Sequence, residues 1–290
     1  MKFDKNTKIL IVGLGLIGGS YAKALSGEGY FVGAIDKKKS SVEYALKNGL
    51  IQVGETSVKK DFVKDFDLIV FALYPHDFIN WIKEYQSSIK SGALITDVTG
   101  VKSFVVENVQ KILRGDLEFV GAHPMAGKEV SGVENADPKI FVGANYIVTP
   151  TKRNTDENVQ AVKDLGRALG FERISSLSPE EHDETVGFLS HLTHCIAVSL
   201  MVSKKSHHLA EYTGDSFRDL TRIAKINDEM WSELFLANKD ELLKQMDLFE
   251  EKFNQLKEDI KNDNREKIRE TLRESTARRK VFDKDAKETK

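Results

Sequence analysis

The feature that most constrains this chain is Gly13-Leu14-Gly15-Leu16-Ile17-Gly18, set directly behind the apolar run Lys8-Ile9-Leu10-Ile11-Val12. Glycines at this spacing after a strand let the chain turn tightly, approach a phosphate with bare backbone, and pack the next helix closely on the strand. The turn falls to Gly13, the bare backbone to Gly15 and the close packing to Gly18. A helix expected over 16–26 then presents unpaired N–H groups and the positive end of its dipole to the phosphates. A second apolar run, Tyr30 to Ile35, ends on Asp36, whose carboxylate can accept hydrogen bonds from ribose hydroxyls and repels a 2′-phosphate. The pattern predicts a dinucleotide site that favours NAD, with Lys37, Lys38 and Lys39 offsetting part of that charge. The candidate cofactor-binding residues are Gly13, Gly15, Leu16, Ile17, Gly18 and Asp36, with Leu73 beyond a third strand.

Short apolar runs alternate with helical patterns through 1–176, which implies a parallel sheet covered by helices. Strands are expected over 8–12, 30–35, 67–72, 93–97, 118–122, 145–149 and 171–175, and helices over 40–47, 77–89, 102–113 and 155–169. Leu68-Ile69-Val70-Phe71-Ala72 is continuously apolar, as a strand buried on both faces should be. Ser178-Pro179-Glu180-Glu181 is a helix start, and beyond it no period-two run remains. The fold expected is α/β: a Rossmann-type doubly wound domain over 1–176, an all-helical domain over 177–282, and a frayed polar tail over 283–290. In the segment 231–261, Leu234, Phe235, Leu242, Leu243, Met246, Phe249, Phe253, Leu256 and Ile260 recur at helical spacing. A small domain has few places to hide such stripes, so a homodimer sharing helices and a compact monomeric bundle are both open.

With 43 basic and 45 acidic side chains the formal net charge is −2, so no global field recruits nucleic acid or an anionic membrane. The substrate is a small molecule to be recognised locally. A single cysteine, Cys195, rules out an intramolecular disulfide and suits a reducing cytoplasm. No bilayer-length apolar stretch and no signal-peptide h-region are read in the sequence.

Redox chemistry on a bound dinucleotide needs a further group for the proton and another to hold the substrate. His123, in Gly121-Ala122-His123-Pro124-Met125-Ala126-Gly127, is expected in a loop just past a strand, on the side where open α/β sheets bind ligands. A helical cluster brings His182, Asp183, His191 and His194; it lacks further ligands for a metal and reads as a polar patch lining a cleft. Arg218 and Arg222 stand four apart on an expected helix. By themselves they read as an ion-paired face, with Asp219 in reach of Arg222.

Together, Gly13-Leu14-Gly15-Leu16-Ile17-Gly18-Gly19-Ser20, His123-Pro124-Met125-Ala126-Gly127, Ser190-His191-Leu192-Thr193-His194 and Phe217-Arg218-Asp219-Leu220-Thr221-Arg222-Ile223-Ala224 resemble the prephenate/arogenate dehydrogenases of tyrosine biosynthesis over nearly the whole chain. The resemblance implies NAD-dependent oxidation of a cyclohexadienol with loss of CO₂ and aromatisation of the ring. It also implies a helical dimerisation domain. By this resemblance His123, His194 and Arg222 are the catalytic positions: a base for the ring hydroxyl, a second active-site histidine, and a bidentate holder of a substrate carboxylate. Glu129 and Asp183 match acidic positions around the cleft. Trp231 matches an aromatic that can approach the partner's site.

Two positions depart from the family pattern. Where a serine bridges nicotinamide and substrate hydroxyl, Asp97-Val98-Thr99-Gly100-Val101-Lys102 places Gly100, and either Thr99 or a water is left to supply the hydroxyl. Before Phe217, Asp215 brings a carboxylate, which either attracts the ammonium of arogenate or caps a helix starting at Ser216. The competing readings are a β-hydroxyacid dehydrogenase and a catalytically silent NAD-binding dimer.

Overall fold

A computed structural model describes residues 1–205 and 208–282; the tail expected to fray, 283–290, lies outside the described residues. Strands β1 (Lys8–Val12), β2 (Phe31–Ile35), β3 (Val53–Glu55), β4 (Leu68–Phe71), β5 (Leu94–Asp97) and β6 (Glu118–Phe119) form one parallel sheet in the order β3-β2-β1-β4-β5-β6. Helices α1 (Leu16–Gly27), α2 (Lys39–Lys47), the single turn α3 (Lys60–Val63), α4 (Pro75–Tyr85) and α5 (Ser103–Ile112) connect them. The order reverses at β1, so the chain is doubly wound. Strand alternation sorts β1 between two cores: Ile9 and Ile11 face one, Leu10 and Val12 the other.

The strand expected over 118–122 is two strands. After Phe119 the Val120 N–H still reaches Ile95, but Ala122 N donates to the Asp97 side chain at 3.0 Å. The chain thereby leaves the parallel ladder and enters a second sheet, β7 (Gly121–Pro124), β8 (Asn145–Thr149) and β9 (Arg173–Ser176), where β7 runs antiparallel to β8. His123 therefore sits on a strand opposite Ile147, not in a loop. β3 was not expected from sequence.

Helix α6 (Asp156–Ala168) precedes β9. Then α7 (Pro179–Val186) starts on a complete capping box, Ser178 and Glu181 exchanging bonds. A π-helical segment, Gly187–Leu192, joins it to α8 (Thr193–Val202). Pro179–Val202 is long and apolar enough to cross a bilayer by length and composition, with a mean hydropathy of 1.5, contrary to the expectation from sequence. Its His182, Asp183 and His191 are nevertheless buried and hydrogen-bonded within the chain. Helices α9 (Asp215–Thr221) and α10 (Asp228–Ala237) follow.

The segment expected as one helix over 231–261 is interrupted at Asn238, beyond which α11 (Lys239–Lys261) begins. Asn238 gives its side-chain amide to the Asp183 carbonyl at 2.9 Å and meets His191 Nδ1 at 3.2 Å. By internal contacts the chain divides after Lys239; the second unit holds α11 beyond its first residue and α12 (Arg265–Arg279).

Candidate active site

The expected cofactor residues come together at the carboxyl ends of β1, β2 and β4. Gly13 adopts φ +100°, and a Cβ there would lie 2.4 Å from the Ala72 carbonyl. A Cβ at Gly18 would stand 1.9 Å from the Gly13 carbonyl oxygen, so α1 could not otherwise lie this close to the turn. Gly15 is different: a Cβ would meet nothing within 4 Å. Gly15 is also the N-cap of α1 and brings no capping side chain, so the first N–H groups of the helix have no side-chain cap. These residues fit a pyrophosphate. Asp36 accepts from Leu14 N at 2.6 Å and from Lys38 N at 2.7 Å, so its carboxylate is pinned beside the glycine turn. Leu73 borders Gly13, with its Cδ2 3.0 Å from where a Cβ would sit, while Leu16 is buried and Ile17 partly so against the core.

Beyond β5 lies a chain of hydrogen-bonded polar groups that runs from half-buried His123 to buried Asp183. His123 Nδ1 is 2.8 Å from His182 Nε2, and His182 Nδ1 is 2.7 Å from Asp183 Oδ1. Both oxygens of Asp183 also accept main-chain N–H groups at the start of α5, from Lys102 at 2.7 Å and Ser103 at 2.8 Å. Burial would raise the Asp183 carboxyl, but the His182 bond and these N–H groups outweigh it and hold it below the usual carboxylate range. Burial holds His123 well below the ordinary imidazole value, with His182 and Lys102 adding repulsion; burial also lowers His182, against the pull of Asp183. These histidines are neutral near pH 7. Asp183, expected at the cleft, is 2% exposed with its oxygens spent, so it holds other groups in place instead of meeting a ligand.

A buried ion pair lies alongside. Lys102 Nζ donates to Asp97 Oδ2 at 2.6 Å and to Thr99 Oγ1 at 3.0 Å, and both charged side chains are fully buried. Burial lowers the Lys102 ammonium, with Asp97 opposing. The Thr99 hydroxyl donates to Asp97 and lies 2.9 Å from the Val101 carbonyl, and Thr99 is buried. It is therefore not free to replace a serine at position 100. Gly100 itself faces the site: a Cβ there would lie 3.9 Å from His123 Cε1 and 3.5 Å from Leu234, ordinary contact distances.

Nine residues of regular α-helix, at about 100° each, would set His182 and His191 on opposite faces. The wider turns of the π segment reduce that rotation, and both rings are buried. Burial lowers His191 to about 4. His194 Nδ1 meets the Ser190 carbonyl at 2.8 Å, and its ring lies 3.7 Å, centroid to centroid, from Trp231. Arg222 is paired with Glu129 and not with Asp219. Asp215 does not cap: Gly214 is the N-cap of α9, and Asp215, in the first turn, pairs with Arg218 at 3.2 Å. Among the described residues no group of three or more His, Cys, Asp or Glu is placed to hold a metal ion.

The individual roles of His182, Lys102 and Asn238 were not foreseen from sequence. The signal available for His182 was its place beside Asp183 in the first turns after a capping box.

Comparison with known proteins identifies the family. Residues 21–173 match the family model for the prephenate dehydrogenase nucleotide-binding domain, and residues 178–274 match that for the prephenate dehydrogenase dimerization domain. The prephenate dehydrogenase of Bacillus subtilis is 34% identical over 82% of this chain and 66% of its own length; that of Lactococcus lactis is 32% identical over 86% and 70%. The chain thus spans about two thirds of the length of these relatives. A crystal structure of Aquifex aeolicus prephenate dehydrogenase, in complex with hydroxyphenyl propionate and NAD⁺, superposes with a TM-score of 0.87 at 34% identity, covering 96% of this chain and 98% of that one. On two domain models that together cover most of its length, and on these relatives, the chain belongs to the prephenate dehydrogenase family.

Proposed function

We propose that this chain catalyses NAD-dependent oxidative decarboxylation of prephenate to 4-hydroxyphenylpyruvate. The observation that carries the reading is His123: neutral, bonded through Nδ1 to His182, and with the Cε1 edge of its ring turned toward Gly100 at the carboxyl end of β5. When bound, the dinucleotide accepts the hydride. His123 takes the proton of the ring hydroxyl as the C–H pair leaves and the carbonyl forms. Loss of the ring carboxylate as CO₂ then sends its bonding pair toward that carbonyl. The ring becomes aromatic, and the proton held on His123 can return to the new phenolate. Arg222 holds a substrate carboxylate, which replaces Glu129 at the guanidinium fork. Asp36 beside the glycine turn favours NAD over NADP.

The active form proposed is a homodimer through the helical domain. The match to a dimerization-domain model supports it, as do the exposed apolar side chains Phe188, Leu189, Met201 and Val202 in and after the π segment.

The test is NADH formation by absorbance, with prephenate and arogenate offered separately. Turnover of prephenate is expected, and His123→Asn should lower kcat by about 10²- to 10⁴-fold while NAD still binds. Undiminished turnover in that variant would overturn the role of His123; turnover of arogenate alone would move the substrate assignment.

A further inference from the structure

The hydrogen bonds that converge on His123 leave one consistent placement of the protons. Asp183, with main-chain N–H groups on both oxygens, is a carboxylate that only accepts. His182 Nδ1, 2.7 Å from Asp183 Oδ1, must then carry a hydrogen. His182 is fully buried, and a second ring proton would make it a buried cation with Lys102 nearby. Its Nε2 is therefore bare and accepts. His123 Nδ1, 2.8 Å away, must donate to it. The other charged or titratable groups around these rings are accounted for. Lys102 Nζ turns to Asp97 and Thr99, and His191 Nδ1 faces Asn238.

We propose that His182 and Asp183 are positioning residues that fix His123 as the Nδ1–H tautomer, so that Nε2 is the nitrogen it offers as a base. Which nitrogen of a histidine is protonated is set by the bond the other makes. Without an acceptor at His182, the ring of His123 is free to carry its hydrogen on Nε2 and would present a donor where a base is needed. A wrong tautomer of this kind leaves geometry intact and removes rate. The inference rests on the reading of His123 as the base, but its first test needs no substrate.

That test is the two-bond ¹H–¹⁵N spectrum of the full chain with ¹⁵N-labelled histidine, the His123 signals being assigned by their loss in His123→Asn. Wild type is expected to show His123 as Nδ1–H. In His182→Leu the population should move to Nε2–H, and kcat should fall by about 100-fold or more, with NAD affinity and the KM for prephenate little changed. His182→Gln, whose amide oxygen can still accept from His123 while its NH₂ meets Asp183, should restore the Nδ1–H tautomer and most of kcat. Wild-type His123 found as Nε2–H overturns the proposal, whether or not the variants fold. So does a His182→Leu protein with wild-type kcat. If the tautomers behave as expected while His123→Asn turns over at full rate, the tautomer assignment stands and the reading of the reaction fails.

Discussion

Arg222 and Asp215 show how a local partner redefines what a charge can do. The Arg222 guanidinium is largely exposed and already holds Glu129 through one nitrogen, so in the proposed role a substrate carboxylate would exchange one anion for another and could engage the second N–H as well. A lysine keeps the charge but not the second N–H. Arg222→Lys is therefore expected to raise the KM for prephenate by about 10-fold or more, one charged hydrogen bond being worth about 1.5–3 kcal/mol, with a smaller effect on kcat. An unchanged KM in steady-state assays would remove Arg222 from the substrate. Asp215 presents the reverse case. It is almost wholly exposed and lies 3.2 Å from Arg218, which offsets the carboxylate in the first of its two expected roles, attraction of the ammonium of arogenate. Such exposed pairs are worth about 0–1 kcal/mol. Asp215→Asn should accordingly change the ratio of kcat/KM for arogenate over prephenate by less than about fivefold, and a larger drop in that ratio would restore the electrostatic role.

Among the elements, α5 is held from outside its own sequence. Its N-cap, Lys102, brings no capping side chain; the first N–H groups go to Asp183 on α7, about eighty residues on. Lys102 meanwhile turns inward to Asp97 with no exposure. Removing one partner of a buried pair strands the other charge, at a cost of about 3–5 kcal/mol. Lys102→Met should therefore unfold at much lower urea than wild type, whereas Lys102→Met combined with Asp97→Asn should recover part of the loss; equal midpoints for wild type and the single variant would show that the pair contributes nothing. These long-range ties explain what sequence could and could not say. Strands at 8–12 and 145–149 were legible to the residue because apolar patterning is local. β3 escaped because three half-buried residues around a glycine carry no period. The break at Val120 depends on Asp97 reaching Ala122 N, and the end of α10 coincides with Asn238 reaching Asp183 and His191, none of which spacing encodes. His123 was singled out by its surroundings in sequence, whereas His182 gains its role from a residue 59 positions away.

For the molecule as a whole, burying several neutral histidines around one site ties stability to pH. His191 titrates near 4 in the folded chain because burial disfavours its charged form, and His123, His182 and His194 are lowered for the same first reason. An unfolded histidine titrates near 6.5. Below that value the unfolded chain binds protons that the folded chain refuses, so stability rises with pH in this range and is lost as pH falls from about 6.5 toward 4. His191 alone then accounts for about 2 kcal/mol lost by pH 5, at about 1.36 kcal/mol for each pH unit below 6.5. Asp183 acts in a lower window: its folded value lies below the ordinary carboxylate one, so its stabilisation is complete at neutral pH and disappears only under more strongly acid conditions. Urea unfolding followed at pH 7 and pH 5 should therefore show a clear fall in midpoint. His191→Gln, which cannot take up a proton, should flatten part of that fall even if it starts from lower stability. A wild-type midpoint that does not move between these pH values would mean that the imidazoles take up protons as readily in the folded chain as in the unfolded one, so that burial does not hold them neutral below about pH 6.5.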